Sequence, residues 1–173
     1  MHELLFAFVQ NYGYLNNMKK NIKDPTLIEA DGLHRFVPYL LNRITHRYNK
    51  MQQADLKHVG LTSIKMRSLT SLAVYNKLTI NELCVHAIAE QPTMSRTIDA
   101  LEAEGLVARQ VSTDDQRVRQ VCLTEKGLDV FRASWPVMNQ TSDTLSEVLT
   151  EDEKRIFQDI LMRILDNIRV NPY

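Results

Sequence analysis

The feature that most constrains this chain is a succession of start and stop signals between Thr62 and Leu123. Thr62 stands where a helix N-cap belongs, ahead of Met66, Leu69, Leu72 and Ala73 at helical spacing. Thr79-Ile-Asn-Glu82 is a capping box, in which a threonine and a glutamate three residues on satisfy each other's backbone amides. It opens a short helix with Leu83, Ala87 and Ile88 turned inward. Pro92 occupies the start of the next helix, which keeps Met94, Ile98 and Leu101 on one face and stops at Gly105. Three short helices joined by tight turns, within about 45 residues, predict a helix-turn-helix unit. Leu106–Val111 and Val118–Leu123 then alternate apolar and polar residues around the turn-prone stretch Ser112–Arg117. A β-hairpin placed there is a wing.

Long amphipathic helices flank this unit. Leu33, Phe36, Val37, Leu40, Leu41, Ile44, Tyr48 and Met51 recur at steps mostly of three and four, and Pro38 either starts the regular helix or bends it. Behind the hairpin, about Glu125 to Leu149 reads as one long helix with Pro136 as a kink. Thr150-Glu-Asp-Glu153 is a second capping box, opening a helix with Ile156, Phe157, Ile160, Leu161, Ile164, Leu165 and Ile168. That stripe is wide for one small domain and suits a helix packed also on a second subunit. The domain plan is therefore an N-terminal extension (1–31), a first long helix (32–58), a helix-turn-helix lobe with its wing (59–124) and C-terminal helices (125–173). The fold class is mainly α with a small β-hairpin. In the extension, 18–31 reads as a connector, and Leu4, Leu5, Phe8, Val9 and Tyr12 share one helical stripe. The stripe is either an extra packing helix or an anchor.

Composition agrees. Among 173 residues only 5 are Gly and 5 Pro, about 3% apiece against typical values of about 7% and 5%, which favours long helices over many short strands. Twenty-one cations balance 21 acids, so net charge does not announce a nucleic-acid partner. Its distribution is uneven: Leu56–Asn81 holds Lys57, Lys65, Arg67 and Lys77 and no acid, whereas Thr141–Tyr173 holds seven acids against four bases. Phosphate binding depends on cations within reach of the backbone, so a basic centre can serve it; chance clustering on a solvated surface is the alternative. Two cysteines are too few for a secreted disulfide scaffold. No apolar run approaches a membrane span, and the run Leu4–Val9 lacks the basic region and cleavage site of a signal peptide. The expectation is a cytoplasmic protein with no membrane partner.

Taken together, four segments resemble the MarR family of winged-helix regulators. They are Gly60-Leu-Thr62, Gln91-Pro-Thr-Met-Ser-Arg-Thr-Ile-Asp-Ala-Leu-Glu-Ala-Glu-Gly-Leu-Val107, Asp115-Gln-Arg117 and Val121-Cys-Leu-Thr-Glu-Lys-Gly127. The resemblance covers about Leu33 to Ile168. It implies a homodimer built on the first and last two helices, a DNA-binding lobe on each subunit, and repression relieved by a small ligand or oxidant. The expected partners are a double-stranded DNA operator, a second copy of the chain and a small aromatic or anionic effector.

The recognition helix has the chemistry for this. Thr93, Ser95, Arg96 and Thr97 give short polar groups and one guanidinium at its N-terminal end, and Pro92 starts it beside free amides that accept phosphate. Arg96 matches the two major-groove acceptors of guanine; alternatively it pairs with Asp99 or Glu102 on its own helix, and Ser95 and Thr97 are plain surface residues. In the wing, Arg117 is placed to enter a minor groove. Arg119 touches phosphate or covers the sheet, and Asp115, by the resemblance, holds the hairpin or orients an arginine. Thr62 and Lys65 are candidate phosphate contacts. An effector pocket is implied by the resemblance between the dimer helices and the lobe, with Arg43, His46 and Arg47 nearby; these are otherwise exposed or salt-bridged residues.

Other chemistries find little support. The five histidines form no metal-ligand spacing, and no nucleophile elbow, phosphate loop or dinucleotide fingerprint occurs. The expectation is no enzyme, no cofactor and no metal. Oxidant-sensing relatives place a reactive cysteine near the first helix; here Cys84 and Cys122 fall in the third short helix and the second wing strand. A thiol redox-sensing or metal-gated regulator of the same fold is one alternative. A winged helix used only for protein–protein contact is another.

Overall fold

The computed structural model describes residues 30–112 and 115–168. The apolar stripe Leu4–Tyr12, most of the connector 18–31 and the middle of the wing turn lie outside them. The chain divides into two units, Met1–His46 and Arg47–Tyr173. The described residues form α1 (Ala30–His34), α2 (Val37–His58), α3 (Ser63–Tyr75), β1 (Lys77–Leu78), α4 (Ile80–His86), α5 (Gln91–Ala103), β2 (Val107–Val111), β3 (Arg119–Leu123), α6 (Glu125–Ser146) and α7 (Glu151–Ile168).

In the first unit, α2 starts at Val37, so Pro38 sits in its first turn, where a missing amide costs nothing. The preceding residues make the separate helix α1, and Ala30 and Asp31, assigned to a connector by their polarity, belong to it.

In the second unit the expected helix-turn-helix and hairpin are present, and local chemistry explains each boundary. Thr62 caps α3 by accepting the Lys65 amide at 3.3 Å. Thr79 and Glu82 close the expected capping box on α4, the Thr79 amide donating to Glu82 Oε2 at 2.7 Å and the Glu82 amide to Thr79 Oγ1 at 3.3 Å. Helix α5 ends in a two-bond Schellman turn: Leu106 N–H donates to Leu101 O at 2.8 Å, Gly105 N–H donates to Glu102 O at 2.9 Å, and Gly105 takes φ +72°. The end of α4 repeats that pattern without glycine. Ala89 N–H reaches Cys84 O at 2.9 Å, and Ile88, a β-branched residue, carries φ +53° with its side chain 78% exposed.

The sheet is antiparallel with order β1-β3-β2. The hairpin pairs Val107 with Leu123 and Val111 with Arg119. Strand β1 was not expected; its two residues are too few to show alternation, and only pairing with Cys122 and Val121 makes it a strand. The core is one cluster in which Leu56, Met66, Leu69, Leu83, Met94, Ile98 and Leu101 are fully buried. Each such side chain contributes about 1.5–3 kcal/mol relative to exposure. Thr141 on α6 donates to Asp55 Oδ2 on α2 at 2.7 Å, so the buried hydroxyl is satisfied.

Helix α6 continues through Pro136, which leaves the Arg132 carbonyl without its usual donor. It stops at Ser146, three residues short of the expected end. Helix α7 opens with the expected box, the Thr150 amide donating to Glu153 Oε2 at 2.8 Å. None of its residues is buried within this chain.

Candidate nucleic-acid interface

The recognition helix α5 divides its residues by depth. Met94, Ile98 and Leu101 are inaccessible, anchoring one face in the core. Pro92, Thr93 and Arg96 are exposed and Ser95 is half-buried. No side chain caps the first turn: Glu90 occupies the N-cap without a side-chain hydrogen bond. In contrast, threonines cap α3, α4 and α6. The amides at the start of α5 are therefore left for water or an incoming phosphate.

Two of the expected contact residues are engaged within the chain. Thr97 is 8% exposed and its hydroxyl donates to Thr93 O at 2.8 Å. It falls three residues after Met94 and four before Leu101, both fully buried, so it turns toward the core and its donor is used within the helix. Lys65 is ion-paired with Glu104 at the end of α5, with its side chain only 17% exposed. It ties α3 to the C-terminal end of the recognition helix and is not a free cation beside Thr62. The Thr62 hydroxyl oxygen is exposed but engaged as a cap.

Asp99 and Glu102, two acids that follow Arg96 on its own helix, have another partner. Arg109, on β2, donates through Nη2 to Asp99 Oδ1 at 2.5 Å and pairs through Nη1 with Glu102. The Glu102 carboxylate also accepts the Arg109 backbone amide at 3.3 Å. The hydrogen bond to Asp99, aided by the Glu102 charge, holds this guanidinium above its ordinary pKa against the opposing effect of partial burial. Arg96 itself is exposed and has no ion-pair partner among the described residues.

In the wing, Asp115 Oδ1 accepts the Arg117 backbone amide at 2.9 Å, closing a local turn, and both residues are exposed. Arg119 is exposed opposite Val111. On α2, Arg43, His46 and Arg47 are exposed, and the Arg43 guanidinium lies 5.5 Å from the Tyr39 ring centroid.

Sequence reasoning missed three groups that assemble this surface. Arg67 Nε donates to Ala87 O at 2.7 Å, fixing the turn before α5. Lys126 Nζ donates to Glu104 O at 2.7 Å. Thr124 Oγ1 donates to Gly105 O at 2.7 Å while accepting the Gly127 amide at 3.0 Å. Gly127 then packs so closely that a Cβ would stand 1.9 Å from Leu106 O. The segment Thr124–Gly127 is thus a knot holding the end of the recognition helix to the start of α6. The signal for Arg109 was the i, i+3 acid pair Asp99 and Glu102 facing a hairpin that folds back over its helix.

The Cys84 thiol is not activated. Burial, then the Glu90 charge, pushes the Cys84 thiol up, which disfavours the nucleophilic thiolate, and Cys122 Sγ donates to Ala108 O at 3.6 Å. Among the described residues no group of three His, Cys, Asp or Glu side chains is arranged to hold a metal ion, and no helix is long and apolar enough to cross a membrane.

The model of the MarR family matches residues 61–118, which span α3 to the wing turn. A MarR-family transcriptional regulator from Silicibacter pomeroyi is 39% identical, with a TM-score of 0.75, over 82% of this chain and 96% of that one. A second MarR-family regulator from Silicibacter pomeroyi DSS is 34% identical, with a TM-score of 0.78, over 86% of this chain and 99% of that one. The HTH-type transcriptional repressor IacR of Pseudomonas putida is 28% identical over 130 residues, 75% of this chain and 78% of that protein. With a polar, core-anchored helix at the start of a hairpin wing and relatives matched along nearly their whole length, the chain belongs to the MarR family of DNA-binding transcriptional regulators and is not an enzyme.

Proposed function

We propose that the protein is a homodimeric repressor that places two α5 helices in successive major grooves of a pseudo-palindromic operator and leaves it when a small aromatic or anionic effector binds. The observation that carries the base-reading part is the state of Arg96. It stands exposed beside Thr93 and Ser95 while Asp99 and Glu102 are taken by Arg109. A guanidinium without an ion-pair partner among the described residues, at the N-terminal end of such a helix, suits the two acceptors of guanine. Exposed Arg117 and Arg119 extend the basic surface along the wing, and Asp115 shapes the turn.

Dimerisation is supported by α7, where Phe157, Ile160, Leu161, Ile164 and Leu165 are 37–55% exposed. An amphipathic helix with no buried residue leaves its apolar face to be covered by something else. In the first unit Phe36 is 50% exposed. Repression is the role of the similar Pseudomonas putida protein, the transcriptional repressor IacR. Release by an effector rests on the family resemblance and on the exposed cations Arg43, His46 and Arg47, which attract an anionic ligand.

The test begins by selecting a binding duplex from a randomised DNA pool with the purified protein. Arg96→Ala is expected to weaken the selected duplex by about 1–3 kcal/mol while changing a scrambled duplex much less. Equal losses on both make Arg96 a phosphate contact, and failure to select any sequence overturns the reading. Aromatic carboxylates are expected to reverse the mobility shift, and Arg47→Ala to blunt that response. A panel without effect removes the effector part.

A further inference from the structure

The recognition helix carries an electrostatic problem that its fold must solve. Asp99 lies three residues after Arg96, the spacing at which helical side chains meet, and Glu102 follows three residues later. Left free, these carboxylates would draw the Arg96 guanidinium back along the helix and repel the phosphates it approaches. Both are instead held by Arg109 from the middle of the wing's leading strand. The third acid, Glu104, is held by Lys65 from α3. Each of these three acids thus has a cation supplied from outside α5, while Arg96 keeps none of them.

Arg109 does more than neutralise. Its guanidinium forks across Asp99 and Glu102, and its own backbone amide reaches Glu102 Oε1, so three hydrogen bonds join β2 to one face of α5. Arg109 is paired in the sheet with Val121, a fully buried residue of β3, so the clamp is seated on the rigid part of the hairpin. A lysine, with one point charge, cannot reproduce the fork.

We infer that Arg109 is a positioning residue for DNA recognition: its clamp sequesters the Asp99 and Glu102 carboxylates so that Arg96 is free to engage the operator. The role of Arg96 is the reading given above, and the clamp rests on it.

The experiment compares five variants on the selected and scrambled duplexes, with melting temperature recorded for each. Arg109→Gln is expected to lose about tenfold or more in affinity for the selected duplex. Adding Asp99→Asn and Glu102→Gln to that variant removes the liberated acids and is expected to restore affinity to within about threefold of the parent, although the ion pairs are still absent. No recovery in the triple variant overturns the proposal, since it assigns the loss to packing or to a direct contact by Arg109. Arg109→Lys is expected to fall between Arg109→Gln and the parent, and a loss equal to that of Arg109→Gln counts against the charge argument. If Arg109→Gln fails to fold, the pair Asp99→Asn and Glu102→Gln with Arg109 intact is the deciding variant. That variant removes the acids that the clamp masks, so it is expected to keep selected-duplex affinity within about threefold of the parent, and a tenfold loss overturns the proposal by making the ion pairs themselves necessary. Arg96→Ala run in parallel separates the two ideas. If it leaves discrimination intact, the Arg96 reading fails; if it abolishes discrimination and the triple variant is not rescued, the clamp alone fails.

Discussion

The lobe from α3 to β3 and the terminal helix α7 use the same apolar alphabet to opposite ends. In the lobe, Leu69, Leu83, Met94, Ile98 and Leu101 are wholly inaccessible. In α7, Ile156, Ile164 and Ile168 are 55%, 41% and 64% exposed, and no residue of that helix is buried. Both stripes repeat at steps of three and four, so periodicity cannot tell them apart. The lobe closes on itself because short helices and a three-stranded sheet supply facing surfaces within about 60 residues. Helix α7 is long, regular and capped, but its face needs a partner surface, and the proposed partner is a second copy of the chain.

That contrast can be broken in order of expected effect. Leu101→Ala should destabilise the protein by about 2–5 kcal/mol, because the core collapses only partly around a lost side chain. The loss should be the same at every protein concentration in denaturant titrations; a change under about 1 kcal/mol would mean that the lobe core is loosely packed. Gly127→Ala should cost about 1–3 kcal/mol through overpacking against the Leu106 carbonyl. Neutral behaviour in the same titration would show that the knot relaxes. Ile164→Ala should cost about 1 kcal/mol or more of assembly, visible only as a midpoint that depends on protein concentration, and sedimentation should show a weakened dimer. A parent that sediments as a monomer at micromolar concentration would refute the interface. The smallest effect is a gain. Ile88→Gly should stabilise by about 0.5–1 kcal/mol, since glycine relieves the left-handed backbone and gives back part of that in chain entropy. A loss would mean that the Ile88 side chain makes contacts that outweigh its backbone strain.

Much of the candidate interface was legible because its signals are local. Thr62, Thr79 with Glu82, Gly105 and Thr150 with Glu153 cap or stop helices by bonds spanning a few residues, so spacing alone reveals them. Pro92 and the inward set Met94, Ile98 and Leu101 followed from the same logic, which also implied the exposure of Thr93 and Arg96. The internal bond of Thr97 was not legible, because a threonine hydroxyl can be spent on the carbonyl four residues back and its polarity in the sequence does not record that. The ion pair of Lys65 was not legible because its partner Glu104 is 39 residues away.

By itself, the sequence determined which stretches form helices, where most of them start, and that a hairpin follows the third short helix of the lobe. Caps, periodicity and turn residues act within one or two turns, and that is the range over which a linear pattern carries energy. It also carried, through the ordered motifs from Gly60 to Gly127, the family and hence a DNA-binding role. Only the tertiary structure decided which charges are spent and which remain. Arg109 reaching Asp99 and Glu102, Lys65 reaching Glu104 and Arg67 reaching Ala87 are contacts between separate elements. The two-residue strand β1 exists only because β3 offers it a ladder. Ion pairs and strand pairing depend on distances set by packing, so the partners of a charged residue appear only once the core has brought its elements together.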